Sequence, residues 1–422
     1  MDSPAIIIDN GTGFSKMGFS GNLDPSVIIP SVIGEFPEKS DLNVSKLQFD
    51  DYDYYIGEEA HKNTKTHSLN YLMRGGMIDN WEQMEKFWHK SIFQYLRADP
   101  EDHYMVLTEP PMNTPENREQ MAEIMFETFG VPGLFIGVQA VLALYAGVYA
   151  SKGGESADIK GADLTGTVVD SGDGVTHVIP IVHGYPISNN IKHIPIAGRD
   201  ITKFVMQSLR DRKEKIPTDE FQEVSRLIKE NYCYCAPDII KEHRKFDEKI
   251  KDPETGKWKQ SKKFKKVSLT SPYSGKRIKC DLGYEAFMAP EVFFHPEFVN
   301  QDYRESLDEI VDIAIVKSPL DNRTDLYKNI VLSGGSTLFK NFDRRLEQEV
   351  RRRVKERYED LGILENAPEV KVSQNMVQQA AVWFGGSMLA HKRDNFMKIV
   401  STKADYEEYG PSVARHNSVF SI

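Results

Sequence analysis

The stretch Ile6-Ile7-Ile8-Asp9-Asn10-Gly11-Thr12-Gly13 decides the fold, because a short apolar run leads directly into an Asp-X-Gly-X-Gly turn. The apolar run has the length and composition of a buried strand, and a second strand is predicted after the turn. Glycine allows positive φ angles and a close approach of the backbone to a ligand. Successive backbone N–H groups in such a hairpin point at one spot and form an anion-binding concavity. A single hairpin of this kind is also common where no ligand binds.

The same form returns at Thr167-Val168-Val169-Asp170-Ser171-Gly172-Asp173-Gly174. Two such hairpins, each between apolar strands, indicate two phosphate clamps that face each other. The carboxylates of Asp9 and Asp170 would repel a phosphate, so we expect Mg²⁺ between them and the phosphates, held mainly through water. Lys16, on the strand that leaves the first turn, adds a compact positive charge. The repeat therefore predicts binding of a polyphosphate with its metal ion.

A third Gly-rich turn, Leu332-Ser333-Gly334-Gly335-Ser336-Thr337, follows the apolar pair Ile330-Val331. It contains no carboxylate, which suits contact with a sugar or a base and does not suit metal binding. The three turns together predict a nucleotide-binding protein.

The composition limits the classes of partner. The chain has 422 residues and is 40% hydrophobic, which is enough apolar material for two or three domains. Its 63 acidic and 53 basic residues give a net charge of −10, which disfavours nucleic acids and anionic lipid surfaces. No secretory signal and no membrane-spanning run are apparent. The sequence therefore predicts a soluble, cytoplasmic protein with no nucleic-acid binding and no membrane insertion.

The three cysteines, Cys233, Cys235 and Cys280, are too few and too irregularly spaced for a disulfide framework. They fit a reducing compartment, where such residues usually act as small buried hydrophobes. A metal site built from the Cys-X-Cys pair, Cys233 and Cys235, and the distant Cys280 would need a histidine cluster that the sequence does not supply.

Predicted strands and helices alternate along the chain, which indicates the α/β class. One helix is expected from Asn80 to the stop at Asp99-Pro100, and a second opens at Thr114-Pro115 and closes at Gly130. Phe342 to Tyr358 carries an apolar residue at every fourth position and arginines on the other faces. This spacing predicts a helix at the surface that covers the core.

Two stretches are interpreted as insertions. Ser151 to Asp163 is polar and Gly-rich and is expected to form a surface loop. Lys241 to Lys279 is dense in lysine and contains several turn signals. It is interpreted either as a solvated surface hairpin or as a basic docking patch for an acidic partner.

The Gly-rich turns also carry a resemblance to a known family. Residues 9–13, 170–177 and 332–335 resemble the first phosphate, second phosphate and adenosine motifs of actin. The resemblance extends over nearly the whole chain and includes the segments 80–86, 124–129, 197–200 and 410–412. Matches of this length are far more specific than glycine turns alone.

The resemblance implies the actin-like ATPase fold, an α/β architecture of two duplicated ribonuclease-H-like domains around a nucleotide cleft. ATP or ADP and Mg²⁺ are expected at the bottom of that cleft. A small outer domain would comprise 1–146 and 381–422, with 31–71 as its upper subdomain. A large inner domain would comprise 147–380, with 197–302 as its upper subdomain and the Lys-rich insertion at about 241–279.

The resemblance also implies the roles of individual residues. Asp9 and Asp170 would hold the metal, and Gln139 and His177 resemble the pair that orients the water attacking the γ-phosphate. Nucleotide contacts are implied for Asn10, Gly11, Thr12, Gly13, Lys16, Ser171, Gly172, Asp173, Gly174, Lys229, Glu230, Gly334, Gly335, Ser336 and Phe339. Lys229 and Glu230 would meet the adenine and the ribose. At most slow hydrolysis coupled to a domain rotation is expected. The alternative for His177 is a packed strand histidine with no catalytic part.

Several departures from conventional actin concern the polymer surfaces. Glu38 to Asp53 is acidic and lacks the Gly-flanked apolar plug of actin, and Gly75 replaces the modified histidine. Gln379 replaces a lysine near the adenine, which puts that contact in doubt. The two insertions and the tail Asn417 to Ile422 would also alter the filament contacts. The chain is therefore not expected to form long filaments by itself.

Within the family, residues 9–18 and 381–388 and the Lys-rich insertion are similar to an actin-related subunit of the seven-subunit complex that nucleates branched actin filaments. This similarity implies pairing with actin-related protein 2, contact with the other subunits and with actin filaments, and activation by nucleation-promoting factors. It also implies a cytoplasmic location in cortical actin and cell projections. The main role implied is nucleation, which is not enzymatic, beside at most slow ATP hydrolysis.

Three other classes share parts of this pattern. A sugar kinase of the same superfold would need a carboxylate base in the cleft, and no acidic motif outside the turns supplies one. A heat-shock-type chaperone would need a further substrate-binding domain. A nuclear actin-related subunit would be recognised by its association with a chromatin remodeller.

Overall fold

The computed structural model describes residues 3–36, 54–154, 159–247, 250–251, 258–259, 264–272, 274–375 and 377–415. Its strands, in chain order, are β1 (Ile6–Asn10), β2 (Phe14–Phe19), β3 (Val27–Pro30), β4 (Val32–Glu35), β5 (Tyr54–Ile56), β6 (Ser68–Tyr71), β7 (Met73–Arg74), β8 (Met77–Ile78), β9 (Met105–Glu109), β10 (Gly133–Val138), β11 (Gly166–Ser171), β12 (Thr176–Val182), β13 (Tyr185–Pro186), β14 (Lys192–Ile194), β15 (Ile250–Lys251), β16 (Trp258–Lys259), β17 (Lys265–Thr270), β18 (Arg277–Leu282), β19 (Ile330–Ser333), β20 (Val372–Ser373) and β21 (Ser401–Thr402).

The α-helices, in the same order, are α1 (Gly57–Lys62), α2 (Trp81–Lys90), α3 (Pro115–Glu123), α4 (Gln139–Ser151), α5 (Gly198–Asp211), α6 (Phe221–Tyr232), α7 (Ile239–Asp247), α8 (Glu285–Glu291), α9 (Leu307–Val316), α10 (Leu320–Lys328), α11 (Phe342–Asp360), α12 (Ala381–His391), α13 (Arg393–Phe396) and α14 (Lys403–Tyr409). Helices α2 and α3 continue as π-helical segments, Ser91–Leu96 and Ile124–Thr128.

Two mixed sheets repeat the same arrangement. The first has the order β21-β10-β9-β1-β2-β3, and the second has the order β13-β12-β11-β19-β20 with β14 beside β12. In the first sheet β1 pairs antiparallel with β2 and parallel with β9. In the second sheet β11 pairs antiparallel with β12 and parallel with β19. We call the part built on the first sheet the small lobe and the part built on the second sheet the large lobe. This duplicated α/β layout confirms the predicted fold class, whereas the residue boundaries of the two domains stay a prediction.

Helices α4 and α12 lie between the two sheets and join the lobes. The close approach of these helices requires glycine at Gly385, since a Cβ there would lie 2.0 Å from the carbonyl oxygen of Leu142. Trp383 on α12 is fully buried and donates its indole N–H to the carbonyl oxygen of Ile7 at 3.1 Å. Ile7 packs against these helices, while Ile6 and Ile8 pack into the core on the other face of β1. The apolar run at the start of the chain is therefore buried on both faces, as predicted.

The three helices predicted from periodicity are present. Asn80 caps α2 by accepting a hydrogen bond from the backbone N–H of Gln83 at 3.1 Å, and Thr114 caps α3. The extended first helix ends at Leu96, where Arg97 takes a positive φ of 55°. In α11 four residues of the predicted apolar stripe are buried, namely Phe342, Leu346, Val350 and Val354. Arg345, which lies outside that stripe, is buried as well.

The Lys-rich stretch differs in part from the prediction. It begins within α7, and β17 and β18 form the expected hairpin, whose turn includes Gly275 at a φ of 70°. The hairpin is solvated on one face only, because alternate side chains join the core of the large lobe: Val267, Leu269, Ile278, Cys280 and Leu282. The inner face was missed because the lysines on the outer face dominate the composition.

Some sequence predictions fall outside the described residues. These are the acidic stretch 38–53, residues 155–158 of the loop after α4, residues 248–249, 252–257, 260–263 and 273 of the Lys-rich stretch, and the tail from residue 417. The three cysteines are buried free thiols, as expected. No helix among the described residues combines the length and the apolar character needed to cross a membrane.

Candidate functional site

The first Gly-rich turn connects β1 to β2 and places a carboxylate beside a lysine. Asp9 and Lys16 are partners across the hairpin, and the Lys16 Nζ atom lies 3.0 Å from Asp9 Oδ2. Thr108, at the end of β9, donates its hydroxyl to Asp9 Oδ1 at 2.8 Å. Asp9 is only 3% exposed, so these two donors stabilise a carboxylate that has lost most of its hydration.

The second turn connects β11 to β12 with the same register. Here Asp170 is the partner of His177, and the hydroxyls of Ser171 and Thr176 lie 2.7 Å apart below the turn. Loss of hydration raises the pKa of the Asp170 carboxyl, and the negative charge of Asp9 adds to that effect. The two predicted metal ligands are therefore close enough to repel each other, and a divalent cation between them would reduce that repulsion.

The two turns face each other at close range. A Cβ at Gly13 would lie 2.8 Å from the Cβ of Asp173, and a Cβ at Gly174 would lie 2.6 Å from the Thr12 side chain. Gly172 differs, because among the described residues none but its chain neighbours lies within 4 Å of its Cβ position. The turns thus meet at their tips and leave open space beside the second one.

The third Gly-rich turn packs against the second turn. Gly334 has a φ of 87°, and a Cβ there would lie 2.2 Å from the carbonyl oxygen of Ser171. Ser336 donates its hydroxyl to the carbonyl oxygen of Gly172 at 2.6 Å. In the described part of the chain, no residue other than its two neighbours comes within 4 Å of the Cβ position of Gly335, so this turn also borders open space.

Lys229 on α6 is linked to the second turn through Gly198, and its neighbour Glu230 forms an ion pair within the same helix. The buried Lys229 donates its ammonium group to the carbonyl oxygen of Gly198 at 3.0 Å, and the N–H of Gly198 donates to the carbonyl oxygen of Gly172. Burial lowers the pKa of Lys229. Glu230 is exposed and pairs with Arg226 at 2.8 Å.

The side chain of Phe339 packs in the core of the large lobe, and the residue is 7% exposed. Gln379, the residue in place of a lysine near the adenine in actin, is exposed. Its neighbour Gln378 is buried and donates to the hydroxyl of Thr337 at 2.6 Å, which fixes the base of the third turn.

The two predicted catalytic residues come from different lobes. Gln139 is the first residue of α4, and its Nε2 atom lies 3.4 Å from Asp9 Oδ1 and 3.4 Å from the Thr108 hydroxyl. His177 lies on β12, where burial and the nearby His193 lower its pKa to about 4. The imidazole is therefore neutral near pH 7 and able to orient a water molecule, while Gln139 offers an amide beside the first turn.

The residues fit a nucleotide with its metal ion. The buried amide nitrogen of Asn10 has no hydrogen-bond partner among the described residues, so one donor at the first turn is unused. Open space lies beside Gly172 and Gly335. No group of three or more His, Cys, Asp or Glu side chains suited to a metal occurs in the described part of the chain. A metal ion here would rely on the two aspartates, water and phosphate oxygens, which is the ligand set that Mg²⁺ tolerates.

Sequence reasoning missed Thr108, Ser31 and Arg199. Ser31 donates its hydroxyl to the carbonyl oxygen of Gly11 at 2.6 Å, and its N–H donates to the carbonyl oxygen of Gly13 at 3.1 Å. Thr108 had a usable signal, because polar residues at the carboxyl end of a parallel strand gather where ligands bind. No sequence signal identified Ser31 or Arg199 as site residues, because both contact residues that are distant from them in the sequence.

Comparison with known proteins agrees with this geometry. Residues 1–418 match the family model described as Actin. The chain is 50% identical to "Actin-related protein 3" of Drosophila melanogaster over 99% of its own length and 98% of that protein. The proteins of the same name from Dictyostelium discoideum and Acanthamoeba castellanii are 49% and 48% identical, over 99% of this chain and 97% of each relative. The chain therefore belongs to the actin family.

Proposed function

We propose that the chain is an ATP-binding actin-related subunit of a multi-subunit complex that nucleates branched actin filaments. The observation that carries the nucleotide part is the meeting of the two Gly-rich turns, with Asp9 and Asp170 at their bases. Identity near 50% to proteins named Actin-related protein 3, over almost the whole chain, supports the choice among actin-family roles.

In this proposal the turns bind the polyphosphate through backbone N–H groups and the Lys16 ammonium group. Mg²⁺, held by Asp9 and Asp170 through water, would neutralise the phosphate charge. Lys229 and the third turn, with Ser336, would hold the adenosine. Gln139 and His177 would orient a water molecule for slow hydrolysis, which depends on positioning more than on a strong base.

The proposed partners are actin-related protein 2, the other subunits of the seven-subunit complex, actin filaments and nucleation-promoting factors. Pairing with actin-related protein 2 would provide the first two subunits of a daughter filament. The nucleotide would act as a conformational switch, and the expected location is the cytoplasmic actin cytoskeleton at the cortex and in cell projections.

A native purification tests the proposal. The tagged full-length chain is purified from its own cells, its partners are identified by mass spectrometry, and the eluate is added to pyrene-labelled actin with and without an activator. The proposal expects an actin-related protein 2 partner and activator-dependent nucleation. A chain that elutes alone, or that polymerises by itself, contradicts the subunit role.

The nucleotide part is tested separately. Direct titration of the purified protein with fluorescent ATP in Mg²⁺ should give saturable binding. Asp170→Asn should weaken this binding by at least about tenfold, and the surface control Asp321→Asn should leave it unchanged. ATP turnover stimulated by one sugar would instead support the kinase alternative. Co-purification with a DNA-translocating ATPase would support the nuclear actin-related alternative.

A further inference from the structure

Arg199 lies between the second Gly-rich turn and Tyr71, a residue of β6 in the three-stranded sheet β5-β4-β6. It is the second residue of α5, and its backbone N–H donates to the carbonyl oxygen of Asp173 at 2.9 Å. Its Nε and Nη2 atoms both approach Asp173 Oδ2, at 3.2 and 3.1 Å. Its guanidinium carbon lies 5.1 Å from the centroid of the Tyr71 ring. The arginine is therefore fixed to the large lobe by Asp173 and stacked on a residue of this separate sheet.

Tyr71 is in turn tied to the first Gly-rich turn. It is the last residue of β6, and the following residue, Leu72, donates its N–H to the carbonyl oxygen of Ser31 at 3.2 Å. Ser31 bonds to the carbonyl oxygens of Gly11 and Gly13. A movement of the first turn relative to the second would therefore change the distance between Tyr71 and Arg199.

These contacts form a closed ring around the tips of the two turns. One side of the ring is the direct approach of Gly13 to Asp173. The other side runs from Asp173 through Arg199 and Tyr71 back to the first turn. The stacking contact is the link in this path that joins the two sides without a hydrogen bond or a peptide bond, so it is the link that opens most easily.

We propose that Arg199 and Tyr71 form a clasp that closes the cleft over a bound nucleoside triphosphate and slows its release. The inference rests on the proposed nucleotide-binding function and adds a control on exchange. Tyr71 is 45% exposed and the Arg199 side chain is 38% exposed, so the clasp forms and breaks at the protein surface without disturbing a core. A cation–π contact at such a site changes an equilibrium by about two- to fivefold.

Nucleotide release from the full-length protein, with its native partners bound, measures the clasp. The protein is loaded with etheno-ATP and Mg²⁺, and the loss of fluorescence is followed after addition of excess ATP. Tyr71→Leu should release the nucleotide about two- to fivefold faster, because the ring is lost. Tyr71→Phe is the matched control and should release at the wild-type rate, because the ring remains. Equal rates in Tyr71→Leu and the wild type would overturn the clasp.

A double-mutant cycle separates the clasp from a local effect of either residue. Arg199→Gln should also accelerate release, and Tyr71→Leu should add nothing in that background. An unreduced effect of Tyr71→Leu in the Arg199→Gln protein would overturn the inference, because the two residues would then act independently.

If the wild type binds no etheno-ATP, the proposed nucleotide function fails and the clasp fails with it. If the wild type binds etheno-ATP, but Tyr71→Leu and Arg199→Gln release it at the wild-type rate, the clasp fails and the nucleotide function stands.

Discussion

The Cβ position of Gly13 lies 2.8 Å from the Cβ of Asp173, so the two Gly-rich turns meet with no room for a side chain. Gly13→Ala should force the turns apart and weaken Mg²⁺-ATP binding by on the order of tenfold, since overpacking of this kind costs about 1–3 kcal/mol. Titration with fluorescent ATP measures the effect. The control is Gly147→Ala on α4, where the added methyl group lies 3.7 Å from its nearest neighbour. Equal affinities of Gly13→Ala and the control would contradict this account of the turns.

Local pattern was enough to predict the elements that carry the site. The two hairpins at Asp9 and Asp170 follow from apolar runs that end in glycine turns, and α11 follows from its four-residue spacing. Hydrophobic periodicity is a local signal, so such elements can be predicted without knowledge of the tertiary contacts.

Contacts between distant segments could not be predicted in this way. Nothing in the sequence near Arg199 indicates a stacking contact with Tyr71. The hairpin of β17 and β18 is a different case, because its alternation of Val267 and Leu269 with polar residues predicts one buried face. There the signal existed, and the weight given to the lysines obscured it.

Asp170 is expected to reduce the stability of the nucleotide-free protein. Its pKa is raised by loss of hydration and by the charge of Asp9, so at neutral pH the ionised carboxylate is disfavoured in the folded state. Asp170→Asn should therefore raise the midpoint of thermal unfolding in EDTA. The same change should weaken Mg²⁺-ATP binding by at least about tenfold, because it removes a charge from the shell of the metal.

Differential scanning fluorimetry in EDTA and in Mg²⁺-ATP checks both effects. The surface variant Asp321→Asn should show neither. A lower unfolding midpoint of Asp170→Asn in EDTA would mean that the carboxylate stabilises the empty cleft, contrary to this prediction.

Gln139 should matter for hydrolysis more than for binding. Its amide nitrogen lies 3.4 Å from Asp9 Oδ1, at the long end of a hydrogen bond, so Asp9 keeps its closer donors Lys16 and Thr108 without it. Gln139→Ala should keep its affinity for Mg²⁺-ATP within about twofold and slow single-turnover hydrolysis by at least about tenfold. Quench-flow measurement of phosphate formation under saturating protein separates the two. Parallel losses of affinity and rate would assign Gln139 to nucleotide binding instead.

His177 should make the protein less stable at acidic pH. Burial and the nearby His193 lower its pKa from 6.5 to about 4. Between these values the unfolded chain binds a proton that the folded chain does not. Stability therefore rises with pH through this window, and the penalty at pH 5 is on the order of 1–2 kcal/mol. His177→Gln should reduce the loss of unfolding free energy between pH 7 and pH 5 by this amount, as measured by urea unfolding at each pH. The exposed His89→Gln control corrects for the loss of one histidine. An identical pH dependence of the unfolding free energy in His177→Gln and the wild type would contradict this prediction. It would show that the imidazole takes up its proton in the folded protein. The water-orienting role proposed for the neutral imidazole would then fail below neutral pH.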